Sequence, residues 1–368
     1  MRFHLSLSRS SPAVARGEEK QRFLSTQHML LLLSILLLVV ILIAVSFGST
    51  PISIMAVVQI LLNGTGLFHF PRQWDASAEI ILWQVRMPIV IGVVLVGAAL
   101  SVAGTLFQGM LRNPLADPFL IGTSSGAALG AAIAFILPFD TFFGSFFPLT
   151  PILAFIGAMV TVLLVYGIAR TDGHTPVVTL ILAGTVVNAV LIAFQTLIFT
   201  ISPNAQLRGL ALFNWLAGGV AIIGWSPVLL IGIITVLGIL CAMAISSVLD
   251  VFALGEESAS HLGVHVEWYK FFIIIVASLL TAAAVSISGL IGFVGLVTPH
   301  MMRLLLGPRH RFLLPASALG GGIFLALADL AARVIIAPAV LPVSVFTALV
   351  GAPFFLFLLR NSKRDYKW

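Results

Sequence analysis

The chain has 368 residues, of which 60% are hydrophobic and 9% charged, with a formal net charge of +6 and a mean hydropathy of +1.15. A soluble domain carries about a quarter of its residues as charge, so this composition excludes a water-exposed exterior and leaves no room for a sizeable aqueous domain. The lone cysteine, Cys241, excludes an intrachain disulfide and a cysteine metal cluster, and the basic residues are not gathered into the face a nucleic acid needs.

Residues 1–28 contain Arg2, Arg9, Arg16, Lys20 and Arg22 and read as a disordered cytoplasmic tail. The uncharged run from Met29 to Phe47 exceeds the apolar core of a signal peptide. It also lacks the alternation of a barrel strand, so it predicts an uncleaved first spanning helix. Further spans are predicted over residues 89–107, 118–137, 150–169, 176–199, 225–247, 271–286, 289–306, 313–334 and 344–360, a helix needing about 20 apolar residues to cross. The stretch 271–302 holds no Asp, Glu, Lys or Arg, and Gly289, Gly292 and Gly295 follow Ser286 and Ser288, which places a tight turn near 287–288. The reading is an all-α polytopic membrane protein of about ten transmembrane helices. One transmembrane domain covers 29–360, with a polar cytoplasmic segment at 250–269 and a cytoplasmic tail at 361–368.

With both termini inside, only Arg72, Arg86, Arg208 and Arg333 of the 19 basic residues fall outside. That asymmetry predicts the orientation, since inner loops carry the excess of Lys and Arg. Small residues such as Gly97, Ala98, Ser101 and Gly104 recur within spans. They let helices approach closely in lipid, and some of these helices can equally line a translocation path.

Polar residues, Gly and Pro cluster in four places. They are Arg86-Met87-Pro88; Gln108 with Arg112-Asn113-Pro114-Leu115-Ala116-Asp117-Pro118; Leu254-Gly255-Glu256-Glu257 with His261-Leu262-Gly263; and Gly292 to His300. Asp329, Arg333, Leu341-Pro342 and Gly351-Ala352-Pro353 follow. The ordered set, from about residue 80 to 360, resembles the FecCD-type permeases, membrane subunits of ATP-binding-cassette importers for siderophores, haem and cobalamin. The resemblance implies a type II importer bundle, paired as a homodimer or with a paralogous permease, two cytoplasmic ATPase subunits and an extracytoplasmic substrate-binding protein. It implies the bacterial cytoplasmic (inner) membrane, surrounded by lipid, and an iron–siderophore complex as cargo, with haem or cobalamin as the alternative.

Energy must come from another chain. A Walker A loop needs a Gly-Lys pair, and Lys20, Lys270, Lys363 and Lys367 follow Glu19, Tyr269, Ser362 and Tyr366. No nucleophile–base or metal constellation appears, so the chain is not read as an enzyme and binds no cofactor; ATP sits on the partner. A secondary transporter is the competing class, but it places ionisable groups near the midplane, and Asp329 has Arg333 four residues on as a ready partner.

In the 250–269 segment, Gly255 can break one short helix, Glu256 and Glu257 suit the positive start of another, and Gly263 can end it. Leu254, Ala259 and Leu262 would form a docking face, and the resemblance makes this the loop that engages the ATPase; a solvated connector is the alternative. By resemblance also, Arg86 and Arg333 meet glutamates of the binding protein, although Ile89 stands where the motif usually has a second arginine. An intramolecular pair is the alternative for Arg333. Gln108, Asn113, Asn188 and Gln195 either line a wet path or tie helices together. His300 reads as structural rather than as a metal ligand.

Overall fold

The computed structural model describes residues 12–48, 52–137, 141–142, 147–203, 208–220, 222–337 and 339–362. A helix stands at each of the ten predicted spans. They are α1 (Pro12–Ser46), α4 (Met87–Leu111), α5 (Thr123–Ile136), α6 (Leu149–Ala169), α7 (Val177–Ile201), α9 (Ser226–Ala244), α12 (Val266–Ser288), α13 (Val294–Leu306), α14 (His310–Val334) and α15 (Val343–Ser362). Seven spans are long and apolar enough to cross a membrane; the stretches at Thr123–Ile136, Val294–Leu306 and Val343–Phe357 are shorter.

Shorter helices join them: α2 (Ile54–Gly64), α3 (Ala76–Ile80), α8 (Gly209–Leu216), α10 (Ser246–Phe252) and α11 (Glu256–His261). A two-stranded ribbon pairs Thr141–Phe142 with Phe147–Pro148. The first helix begins at Pro12, so residues 12–28 are helical where a disordered tail was expected. Residues 1–11 and 363–368 lie outside the described residues.

The core is built around α4, whose spanning window is 78% buried. Small residues make this possible. A β-carbon on Gly97 would lie 2.2 Å from the Gly321 carbonyl oxygen, and one on Gly321 would lie 2.2 Å from that of Gly97. The backbones of α4 and α14 therefore touch, gaining dispersion contact that lipid cannot outcompete. The window in α7 is only 22% buried, with Leu182, Val186, Phe194 and Ile201 exposed.

Two local features differ from the sequence reading. The turn after α12 lies at 289–293, beyond the expected 287–288. Ser286 and Ser288 donate back to the Ala283 and Ala284 carbonyls and stay helical, while Gly289 takes the left-handed φ of 68°. Second, α4 is preceded by a π-helical turn over Ile81–Arg86 that fuses it to α3. A π turn disturbs the regular backbone pairing, and the Trp83 carbonyl here accepts a 2.9 Å bond from Trp225 Nε1.

The bundle has two chemically distinct ends. The proximal end carries α10, α11 and the start of α14; the distal end carries the close of α1, the π turn and the close of α14.

Candidate functional site

At the proximal end, α10 and α11 are separated at Gly255, which adopts φ 106°, and α11 is followed by Gly263 at φ 82°. Glu256 and Glu257 occupy the first turn of α11. Glu256 is an internal anchor: its carboxylate accepts a 2.6 Å bond from Lys270 Nζ, which is 4% exposed at the side chain. Lys270 also reaches Glu267 at 3.2 Å and donates to the Thr175 carbonyl at 3.2 Å. Glu267 in turn accepts from the Thr175 amide at 2.9 Å. A buried ammonium is retained only when paired and hydrogen-bonded, and this cluster ties α11, the start of α12 and the chain entering α7 to one post.

The surface beside the post is apolar. Leu254 is 66% and Leu262 64% exposed, whereas Ala259 is fully buried. The expected face of Leu254, Ala259 and Leu262 is thereby corrected to the two leucines, with exposed Glu257 beside them. Ala259 is the residue that seats α11 on the bundle. A second tie holds α10: Asp250 Oδ1 accepts from the His310 amide at 2.9 Å and lies 2.6 Å from His310 Nδ1. Sequence reasoning missed Asp250, Glu267, Lys270 and His310 as supports. A lysine at the opening of an apolar span was the one available signal.

At the distal end, Arg86 is 6% exposed, and its Nη1 donates to the carbonyls of Val45 and Ser46, both at 2.8 Å. Arg333 donates from Nη2 to the Ala44 carbonyl at 3.2 Å and from Nη1 to that of Phe47 at 3.3 Å. Its Nε and Nη2 meet Asp329 Oδ2 at 2.9 and 2.8 Å. A helix end leaves its last carbonyls unpaired and carries partial negative charge. Two guanidinium groups cap the close of α1, and Asp329, 4% exposed, offsets part of their charge.

The remaining predicted residues lie apart. Gln108 is buried between α4 and α13: its Nε2 donates to the Gly295 and Leu296 carbonyls at 3.3 and 3.2 Å, and its Oε1 accepts from Arg303 at 3.1 Å. Asn113 is exposed and turns the loop after α4, accepting the Leu115 amide at 2.9 Å. Asn188 and Gln195 lie half-buried on α7, and Gln195 lines a cavity of about 430 Å³ with Phe199, Leu212 and Leu216. His300 sits edge-on to Phe354, ring centroids 5.9 Å apart. No group of three His, Cys, Asp or Glu placed to hold a metal ion occurs among the described residues.

The model of the FecCD transport family matches residues 36–361. The chain belongs to that family. This FecCD permease is 37% identical over 308 residues to the hemin transport system permease HmuU of Yersinia pestis, covering 80% of this chain and 89% of the relative. It is 41% identical over 285 residues to the cobalamin import system permease BtuC of Halobacterium salinarum, covering 77% and 74%. It is 37% identical over 292 residues to the Fe(3+)-citrate import system permease YfmD of Bacillus subtilis, covering 79% and 84%. A solved inward-facing metal-chelate type ABC transporter matches 91% of this chain and 99% of its own, with a TM-score of 0.78 at 29% identity. The FecCD permease is thus an all-helical membrane component of an ATP-binding-cassette importer, a transporter subunit and not an enzyme.

Proposed function

We propose that this FecCD permease forms the path by which an iron–siderophore complex crosses the cytoplasmic membrane, driven by ATP hydrolysed on two attached ATPase subunits. The observation that carries the reading is the exposed Leu254–Leu262 pair mounted on the Lys270 post. An apolar patch at a bundle end, fixed by a buried ion pair, suits a partner that pushes on it. Movement of α11 then reaches α12 and the entry to α7 through Glu256, Lys270 and Thr175. Two permeases, identical or paralogous, enclose the path, and both termini share the ATPase side.

An extracytoplasmic binding protein delivers cargo at the distal end, where Arg86 and Arg333 are the candidate contacts. To meet its acidic groups they would exchange the α1 carbonyls for carboxylates, so their docking role competes with their capping role. Haem and cobalamin are the second reading of the cargo, favoured by the relatives that transport them.

Proteoliposomes holding this chain with its ATPase and binding protein test the proposal. Labelled ferric siderophore should accumulate only with ATP, and haem and cobalamin should not compete. Uptake without the ATPase that collapses with the proton gradient would replace this mechanism by a secondary one.

A further inference from the structure

A cleft runs down the outside of the bundle between α6 and α9. Each of these helices packs on α12, and neither packs appreciably on the other, so α12 forms the floor between them. Pro151 stands in the first turn of α6 and Pro227 in that of α9, which the Trp225–Trp83 bond holds at the distal end. Here the cleft widens into a cavity of about 200 Å³. Ile152 and Ile156 line one wall, Leu230 and Ile234 the other, and Ala283 and Ser286 the floor. The floor is buried, Ala283 being 2% exposed and Ser286 6%. Its hydroxyl makes no demand on a ligand, because Ser286 Oγ donates to the Ala283 carbonyl at 2.9 Å.

The walls decide what fills the cleft. Neither α6 nor α9 contains Asp, Glu, Lys or Arg, and an apolar cavity does not draw in water. Left empty, it forfeits the dispersion contacts of its lining. Ile156 and Leu230, 48% and 47% exposed, head two apolar stripes that run on toward the proximal end. Val160 and Leu164 continue the first on α6, and Ile233 and Leu237 the second on α9, all at least half exposed. These are large aliphatic side chains. The small residues that let spanning helices approach one another point inward. A β-carbon on Gly157 would lie 2.2 Å from the Gly126 carbonyl oxygen on α5, and one on Gly238 would lie 2.5 Å from Leu280 Cδ2 on α12. The outer side of the cleft is therefore shaped for hydrocarbon and not for a second helix.

We infer that this cleft is a binding site for one acyl chain of a phospholipid in the distal leaflet. A chain entering between Ile156 and Leu230 reaches Ala283, Ser286 and Ile287 and supplies the contacts that α6 and α9 do not make with each other. Because the cavity lies at the first turns of both helices, it takes the part of the chain nearest the glycerol. No charged side chain lines it, so the site selects the chain and is indifferent to the headgroup. Seated there, the chain is a wedge that holds α6 and α9 apart on α12. The inference is independent of the cargo and of the ATPase docking face.

The test uses the full chain, assembled with its ATPase in proteoliposomes, and phosphatidylcholine or phosphatidylglycerol carrying a diazirine on one acyl chain near the glycerol. After irradiation, peptide mapping by mass spectrometry reads the labelled residues. Exposed Leu237 labels in any case, so the informative positions are Ala283, Ser286 and Ile287, which are buried and line the cleft. Both lipids should label these floor residues equally. Ser286→Leu, which fills the floor, should abolish that labelling and leave Leu237 labelled. Leu230→Trp, a change at an exposed wall, should lower it too and serves where Ser286→Leu does not fold. A floor unlabelled in the wild type, labelled by phosphatidylglycerol alone, or labelled unchanged in the variants that fold overturns the inference. A free fatty acid with the same diazirine that labels the floor when the phospholipids do not assigns the cleft to a free acid and overturns the phospholipid. A disulfide between two chains bearing Ile156→Cys in a Cys241→Ala background assigns the cleft to a second copy and overturns it likewise.

Discussion

Lys270 is the residue on which the proximal end depends. Lys270→Met leaves Glu256 and Glu267 facing each other without a cation. The loss should be about 1.5–3 kcal/mol, the range for hydrogen bonds to charged groups, moderated because Glu256 is 36% exposed. Thermal unfolding of the purified chain measures it, and Glu256→Gln, which keeps an acceptor for Nζ, should cost less. At the distal end, Asp329→Ala should destabilise more than a surface change because Arg333 then loses its only carboxylate among the described contacts. Equal melting temperatures for the wild type and Asp329→Ala would contradict the capping assignment. Phe293 shows what a single residue can conceal. It adopts φ 71°, a region costly for a residue with a β-carbon, and a β-carbon on Gly351 would approach its ring to 2.4 Å. The sequence marks Gly351 but gives no sign that a phenylalanine is held against it.

Among the elements, α10 and α11 are the ones whose surface and interior separate most cleanly. Leu254→Asp and Leu262→Asp should lower ATP-driven uptake at least tenfold while shifting stability by no more than about 0.5 kcal/mol, as exposed positions do. Ala259→Leu should instead unseat α11, because the added volume has no space to enter; parallel melting and uptake measurements separate the two classes. The existence of these helices was legible, since Gly255, the Glu256–Glu257 pair and Gly263 are local signals of start and stop. Which face of α11 is buried was not. That orientation is set by Lys270, 14 residues beyond Glu256, and by Thr175, 95 residues before Lys270, and helical spacing alone joined Ala259 to Leu262. Likewise the seven long spans follow from hydrophobic length, whereas α2 and α8 went unread because they are apolar but too short to cross, and the π turn because a one-residue register shift leaves little trace in hydropathy. The turn after α12 moved by two residues for a comparable reason: serine in lipid bonds to its own helix, so Ser286 and Ser288 did not break it.

For the whole molecule, side preference is the property most open to measurement. Glu257→Cys in a Cys241→Ala background should react with an impermeant thiol reagent only from the side that also exposes both termini. Labelling of residue 257 from the side opposite the termini would reverse the proposed topology. The distal arginines belong to this scale as well, because they join α1 to the π turn and to α14 through backbone carbonyls. Their sequence neighbours could suggest an external partner or an internal one, and only the position of the α1 terminus shows the bonds they make. The general plan of the permease is therefore written in apolar length and small residues, while its joints are written in pairs of polar groups from distant elements.

The Gly97–Gly321 contact sets a mechanical rule for this machine. Two rods that meet carbonyl against α-carbon have no side-chain cushion to slide on, so α4 and α14 travel together as one strut. On the proposed function, an opening of the passage hinges around that strut, and α7, whose window is the least buried of the seven long spans among the described residues, is the element with the fewest internal contacts to break.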